Sequence, residues 1–311
     1  MGHYWHAPPS FRGTYVLVSE HDHVNQAVIL VHGYGGDAWG TWAELQDLID
    51  EWELEAQWRD TDIYSFQYRG GTKDLELSTA EFLKFLQLIL PTPVGTEFEI
   101  PSLADNPVLG SFARDGNSVF PAERVYTDIV LAGHSEGGAI LRNAVARLAK
   151  ALQGSIQPPR PLQVAVGGGR GIVEGAPRSG GDYVSLTLHG RVRLFAPALI
   201  GFSPSGFLGI VMNTPGLGDF LDGIMHWSAA YQNLQMDDSF LLDLRRRTEE
   251  LWRATSCPAL KAKSLWGDRE RVLRVGQYDH DDPIEVVAGE THTSVCKTRE
   301  GYVTPLEFIH S

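Results

Sequence analysis

The sequence predicts an α/β fold, a central and mostly parallel sheet flanked by helices. Three observations predict it. The runs AVILV at 27–31 and DIVLA at 128–132 are continuously apolar, as strands covered on both faces must be. Each run ends in a glycine-containing turn, and the second leads directly into a helical pattern. Strand and helix signals then alternate along the chain, as crossover connections require.

The elements follow in order. Residues 14–19 read as a strand rich in β-branched and aromatic side chains. The 27–31 strand runs into His32-Gly33-Tyr34-Gly35-Gly36. Residues 42–52 place Trp42, Leu45, Leu48, Ile49 and Trp52 at helical spacing, and 62–68 is the next strand. A helix is expected over 78–90, with Ser78 as N-cap and Glu81 three residues on. Residues 91–121 carry Pro91, Pro93, Pro101, Pro107 and Pro121 and read as an irregular insertion of the lid or binding-loop kind. After the 128–132 strand comes a helix over 138–153, then a flexible loop at 154–181 with eight glycines and four prolines. Two close strands are expected at 184–188 and 192–195. Residues 202–252 read as mostly helical, and the apolar stretch 199–220 fits a cap over a pocket as well as core packing. Strands at 262–266 and 286–287 complete the set. The organisation expected is one domain over 1–311, with lid or insertion segments at 91–121, 154–181 and 199–255.

Composition narrows the function. The chain has 311 residues, 43% apolar and 21% charged, which excludes a disordered chain. Its formal net charge of −13 argues against nucleic acid and against docking on anionic lipid, and reads as solubility. Cys257 and Cys296 form no CxxC pair, so two free thiols in a reducing compartment are expected rather than a zinc site. His3, His6 and His21-Asp22-His23 read as surface features, not metal ligands. Gly167-Gly168-Gly169-Arg170-Gly171 lacks the ending of a phosphate loop. No secretory leader is visible, and the most apolar stretch, 197–212, is interrupted by Pro204, Gly206 and Gly209. A cytoplasmic protein with no transmembrane segment, metal or cofactor is the expectation.

The sharpest motif is Gly133-His134-Ser135-Glu136-Gly137, a G-x-S-x-G between the 128–132 strand and a helix. A strand–elbow–helix turn holds its central residue in a strained backbone and lets only small residues pass two positions either side. Ser135 would then stand at the carboxyl edge of the sheet, with the positive end of a helix behind it. The other glycine turn, His32–Gly36, could supply a second oxyanion amide from Tyr34, the first coming from Glu136. His32 reads as a structural hydrogen-bonding residue, and the Glu136 side chain as a solvent-facing helix start.

The two motifs in this order resemble the α/β-hydrolase superfamily. More narrowly, ILVHGYGGDAWGTW, DIYSFQYRG, DIVLAGHSEGG, LFAPALIG, DDSFLLDL and THTSVCK are similar to the lipase-like serine esterases of the SERAC and DUF676 group. Glu136 departs from the Met, Gln or Leu more usual there, and the insertions at 91–121 and 154–181 are not hallmarks of the group. The resemblance implies a nucleophile–acid–histidine order. It favours His292, in GETHTSVCK, as the base over His280, in a polar run read as a solvated loop, and His310, near the C-terminus. For the acid, the family register after Gly267 places Glu270 first and Asp268 second, with Asp279 and Asp282 as outside candidates; whichever of Glu270 and Asp268 is not the acid would be a surface carboxylate paired with Arg269 or Arg271.

The function expected is a serine hydrolase cleaving small-molecule or lipid carboxylic esters through a Ser-His-acid triad and an acyl-enzyme. A phospholipase or thioesterase with the same triad is the nearest alternative. A non-catalytic scaffold binding a ligand or partner is the alternative of another class. The oligomeric state is not legible.

Overall fold

The computed structural model describes residues 3–6, 13–21, 23–42, 58–68, 74–90, 126–155, 183–201 and 239–311. They build an eight-stranded sheet: β1 (His3–His6), β2 (Tyr15–Ser19), β3 (Gln26–Val31), β4 (Thr61–Phe66), β5 (Asp128–His134), β6 (Arg191–Phe195), β7 (Ala262–Gly267) and β8 (Glu285–Val287). The spatial order is β1-β2-β4-β3-β5-β6-β7-β8. The β1–β2 and β2–β4 pairs are antiparallel, and every other pair is parallel. With five α-helices beside it among the described residues, this is the α/β-hydrolase fold.

The centre of the sheet is apolar on both faces, as the sequence requires. Ala27, Val28, Ile29, Leu30 and Val31 of β3 and Ile129, Val130, Leu131 and Ala132 of β5 are all buried. Each such Val, Leu or Ile contributes about 1.5–3 kcal/mol when taken from water. In register, Val31 of β3 lies beside Phe66 of β4 and Gly133 of β5, so the ends of three parallel strands converge where the two glycine turns begin.

The helices are α1 (Leu75–Ile89), α2 (Glu136–Ser155), α3 (Tyr183–His189), α4 (Ser239–Thr255) and α5 (Thr304–His310). Helix α2 packs on β5, α1 and α4, and from Glu136 to Ala146 every residue is buried. A polar relay crosses these helices: Arg247 donates to Asn143 Oδ1 at 2.7 Å, and Asn143 donates to Thr79 Oγ1 at 3.0 Å.

Three expectations need correction. Residues 184–188 are not a strand but lie in α3, where Val184, Thr187 and Leu188 are buried at helical spacing. The N-cap of α1 is Asp74, whose carboxylate takes the Leu77 amide at 2.6 Å; Ser78 lies inside the helix, its amide already bonded to the Asp74 carbonyl. The run 278–282 is not a solvated loop. Tyr278 and Asp281 are buried, and Asp281 pairs with the buried Arg142 of α2. The expected helix at 42–52 lies, beyond Trp42, outside the described residues. So do the insertion 91–121, all of 154–181 but its first two residues, and 202–238. Cys257 and Cys296 are free thiols. Among the described residues no helix is long and apolar enough to cross a membrane, and no cluster of metal-ligating side chains occurs.

Candidate active site

Ser135 stands between β5 and α2 with φ at +52°, in the left-handed region that costs a non-glycine residue energy. The elbow is locked from three sides. The Ser135 amide donates to the Phe195 carbonyl, and the Ser135 carbonyl accepts from Gly138 and Ala198, each at 3.0 Å. Small neighbours are obligatory. A Cβ on Gly137 would lie 2.4 Å from the Val31 carbonyl oxygen, and one on Gly133 would lie 2.9 Å from the backbone of Gly137.

His292 sits in the loop after β8. Its Nε2 is 3.1 Å from Ser135 Oγ, and its Nδ1 is 2.9 Å from Glu270 Oε2. The second Glu270 oxygen accepts the amides of Val272 at 2.6 Å and Leu273 at 3.0 Å. Burial alone would raise the Glu270 pKa. The bonds from His292 and the two amides, with the His292 charge, outweigh it and hold the carboxyl below its usual value. Nδ1–H therefore faces the carboxylate, which leaves Nε2 as an acceptor toward the Ser135 hydroxyl.

Asp268 points elsewhere. Its side chain accepts the Gly289 amide at 2.7 Å, so its partner is backbone and neither Arg269 nor Arg271. Together with the bonds from Asp268 N to Val287 O and Arg269 N to Glu290 O, both 2.9 Å, it fastens the Glu270 turn to the loop carrying His292. Gly267 permits this approach, since a Cβ there would meet the Glu290 carbonyl oxygen at 2.2 Å. The remaining candidates are spent in other contacts. His280 donates to the Leu260 carbonyl at 2.8 Å and stacks on Trp252. Asp279 pairs with Arg245 and Asp282 with Lys261. His310 ends α5 in an exposed position.

The Gly33–Gly36 turn is closed by the Gly36 amide on the Gly33 carbonyl at 3.1 Å, with Gly35 at φ +65°. Gly33 abuts Ser135, for a Cβ on it would lie 2.8 Å from Ser135 Cβ. Tyr34 is the next residue on this loop. His32 is buried, with its Nδ1 2.8 Å from the Gly33 carbonyl and its Nε2 accepting the Tyr68 amide at 3.4 Å. That uses both ring nitrogens, and burial lowers its pKa, so the ring is neutral.

Two site residues escape sequence reasoning. His134 Nε2 donates to the His292 carbonyl at 2.8 Å, and burial, aided by His292, pushes its imidazole down to about 3. A neutral His134 thus ties the elbow to the loop carrying His292. Tyr68, two residues past β4, bonds to both the His32 carbonyl and the Glu136 carboxyl. Glu136 is therefore not solvent-facing but fully buried, because the first turn of α2 is wedged against the ends of β3 and β4. The variable middle positions of the elbow motif carry no signal for His134, and Tyr68 looks like any strand end.

No protein-family model matches the chain, and no curated protein matches it in sequence. Among solved structures the chain is similar to an N-acyl homoserine lactonase at 11% identity, covering 98% of this chain and 95% of that one with a TM-score of 0.46. It is similar to a peroxisomal α/β-hydrolase of Saccharomyces cerevisiae at 10% identity, covering 99% and 85%, also at 0.46. A structure described for carboxylesterases of the thaumarchaeon Nitrososphaera gargenis is similar at 10% identity, covering 98% and 97%, with a TM-score of 0.41. These are likenesses of chain path at low identity, and the chemistry of the site follows from its own atoms.

Proposed function

We propose that the protein is a serine hydrolase that cleaves carboxylic esters of small molecules or lipids through an acyl-enzyme. The observation that carries this reading is the unbroken line Glu270–His292–Ser135, at 2.9 and 3.1 Å. Ser135 Oγ attacks the ester carbonyl while His292 Nε2 takes its proton. The charge that develops on the carbonyl oxygen is held by the amides of Tyr34 and Glu136, and one such donor is worth about 10²–10³ in rate. The tetrahedral species collapses, and the alcohol leaves with the proton from His292. Water, deprotonated by His292, then attacks the acyl carbonyl, and Ser135 leaves with that proton. Glu270 stays ionised throughout and keeps the imidazole in the right tautomer.

The test is labelling with a fluorophosphonate, followed by a panel of p-nitrophenyl esters graded by chain length. Wild-type protein should label and turn over esters. Ser135→Ala and His292→Ala should lose both, with turnover lower by about 10⁴-fold or more. A folded wild type that neither labels nor turns over any ester would overturn the proposal in favour of a non-catalytic scaffold.

A further inference from the structure

The Glu136 side chain has no place in the reaction just described, yet it occupies a fully enclosed polar position at the site. It is fully buried, and its Oε1 has no hydrogen-bond partner among the described residues. Its Oε2 lies 3.1 Å from the Tyr68 hydroxyl, which also lies 2.9 Å from the His32 carbonyl. The hydroxyl has one proton for these two oxygens, and the carbonyl has none to give. The count closes when the carboxyl supplies the second proton, with Glu136 donating to Tyr68 and Tyr68 donating to His32. A carboxylate would instead leave a bare charge in a fully buried position with no cation beside it among the described residues.

We propose that Glu136 is a positioning residue whose protonated carboxyl acts through Tyr68 to latch the His32–Tyr34 loop against the nucleophile elbow. This rests on the serine-hydrolase reading, since what the latch holds is the spacing of the two oxyanion amides. Helix α2 begins at Glu136, and the carbonyl the latch grips lies two residues before Tyr34. The surroundings allow the proton to stay. Tyr68 is the titratable group in hydrogen-bond contact, and burial followed by the neighbouring carboxyl raises its own pKa. His32 stacks on Tyr68 with ring centroids 4.2 Å apart and is neutral, and His134 on the β5 side is neutral as well. Among the described residues no lysine, arginine or second carboxylate pairs with Glu136. Burial, opposed by the bond to Tyr68, pushes its carboxyl up to about 8. Above that value the carboxylate claims the Tyr68 proton, and the His32 carbonyl is released.

The test compares wild type with Glu136→Gln, whose amide donates to Tyr68 at every pH, and with Tyr68→Phe, which has no relay. Infrared difference spectra of wild type against Glu136→Gln at pH 7 should show the carbonyl stretch of a protonated carboxyl, and that band should vanish by pH 9. With a p-nitrophenyl ester, wild-type kcat should fall several-fold from pH 7 to pH 9, whereas Glu136→Gln should keep its kcat across the range. Tyr68→Phe should lower kcat about tenfold at pH 7, roughly what one hydrogen bond is worth, with KM unchanged. A missing band at pH 7, identical alkaline profiles in wild type and Glu136→Gln, or full activity in Tyr68→Phe would each overturn the latch. A wild type with no esterase activity would sink the hydrolase reading instead, and the infrared band would still decide whether Glu136 holds its proton.

Discussion

Glu270 and Asp268 leave the same turn after β7, yet only Glu270 reaches His292, while Asp268 takes the Gly289 amide. Their substitutions should therefore differ in kind. Glu270→Gln should lower kcat by about 10³–10⁴-fold, because the imidazole loses the partner that fixes its tautomer. Asp268→Asn should cost only about 1 kcal/mol of stability, read by urea unfolding, and leave kcat within about tenfold. Equal kinetic losses would reverse the assignment of the acid. Glu136 makes a separate prediction about stability. Its folded pKa of about 8 lies above the usual carboxyl value, so the folded state holds a proton that the unfolded chain gives up first. Its burial thus carries no charge penalty below the unfolded pKa, and that penalty grows as pH rises toward about 8. Thermal midpoints of wild type should fall relative to Glu136→Gln between pH 5 and pH 8. A constant difference would mean that the side chain does not titrate in that window. Glu270 acts with the opposite sign, because its lowered pKa gives stability above the unfolded carboxyl value that is lost as acid protonates it.

Between elements, the fastening of α2 to the segment before β8 depends on one buried ion pair. Arg142 donates to Asp281 and to the Leu260 carbonyl, and its guanidinium lies 4.9 Å above the Tyr278 ring. Asp281 also takes the amides of Ala262 at 2.9 Å and Tyr278 at 3.0 Å. Arg142→Met would leave this carboxylate buried without its cation. It should destabilise the protein by about 3–5 kcal/mol in urea unfolding at neutral pH. A loss under about 1 kcal/mol would show that the pair is not holding α2 in place. The same scale explains which elements the sequence concealed. VSLTL at 184–188 suits either period, since five residues are too few to separate alternation from a helical turn, and tertiary packing decides for α3. Ser78 and Glu81 match a capping box, but Asp74 four residues earlier offers a carboxylate to Leu77 and starts α1 sooner.

Across the whole molecule, the central strands were the legible part. β3 and β5 carry apolar runs long enough to be buried on both faces, and with β6 and β7 they fall within one or two residues of the expected bounds. The edge was harder. β1, four residues long, shows too little pattern to be read, whereas the three-residue β8 was expected at 286–287. At the site, Ser135 and His292 could be named as candidates from a glycine elbow and a glycine-led loop, and Glu270 from the register that the family resemblance implies after Gly267. The supporting contacts of His134, Tyr68, Arg142 and Asp281 were not, because each joins segments far apart in the chain through a single side chain. The separations have a further consequence. Glu270 and His292 are 22 residues apart, whereas His292 and Ser135 are 157 apart. The Glu270 carboxylate and the His292 imidazole thus arrive together on the β7–β8 unit, and Ser135 arrives with β5. On the proposed mechanism, labelling by a fluorophosphonate should be lost as soon as β8 undocks, even while α1, α2 and α4 keep their helical signal.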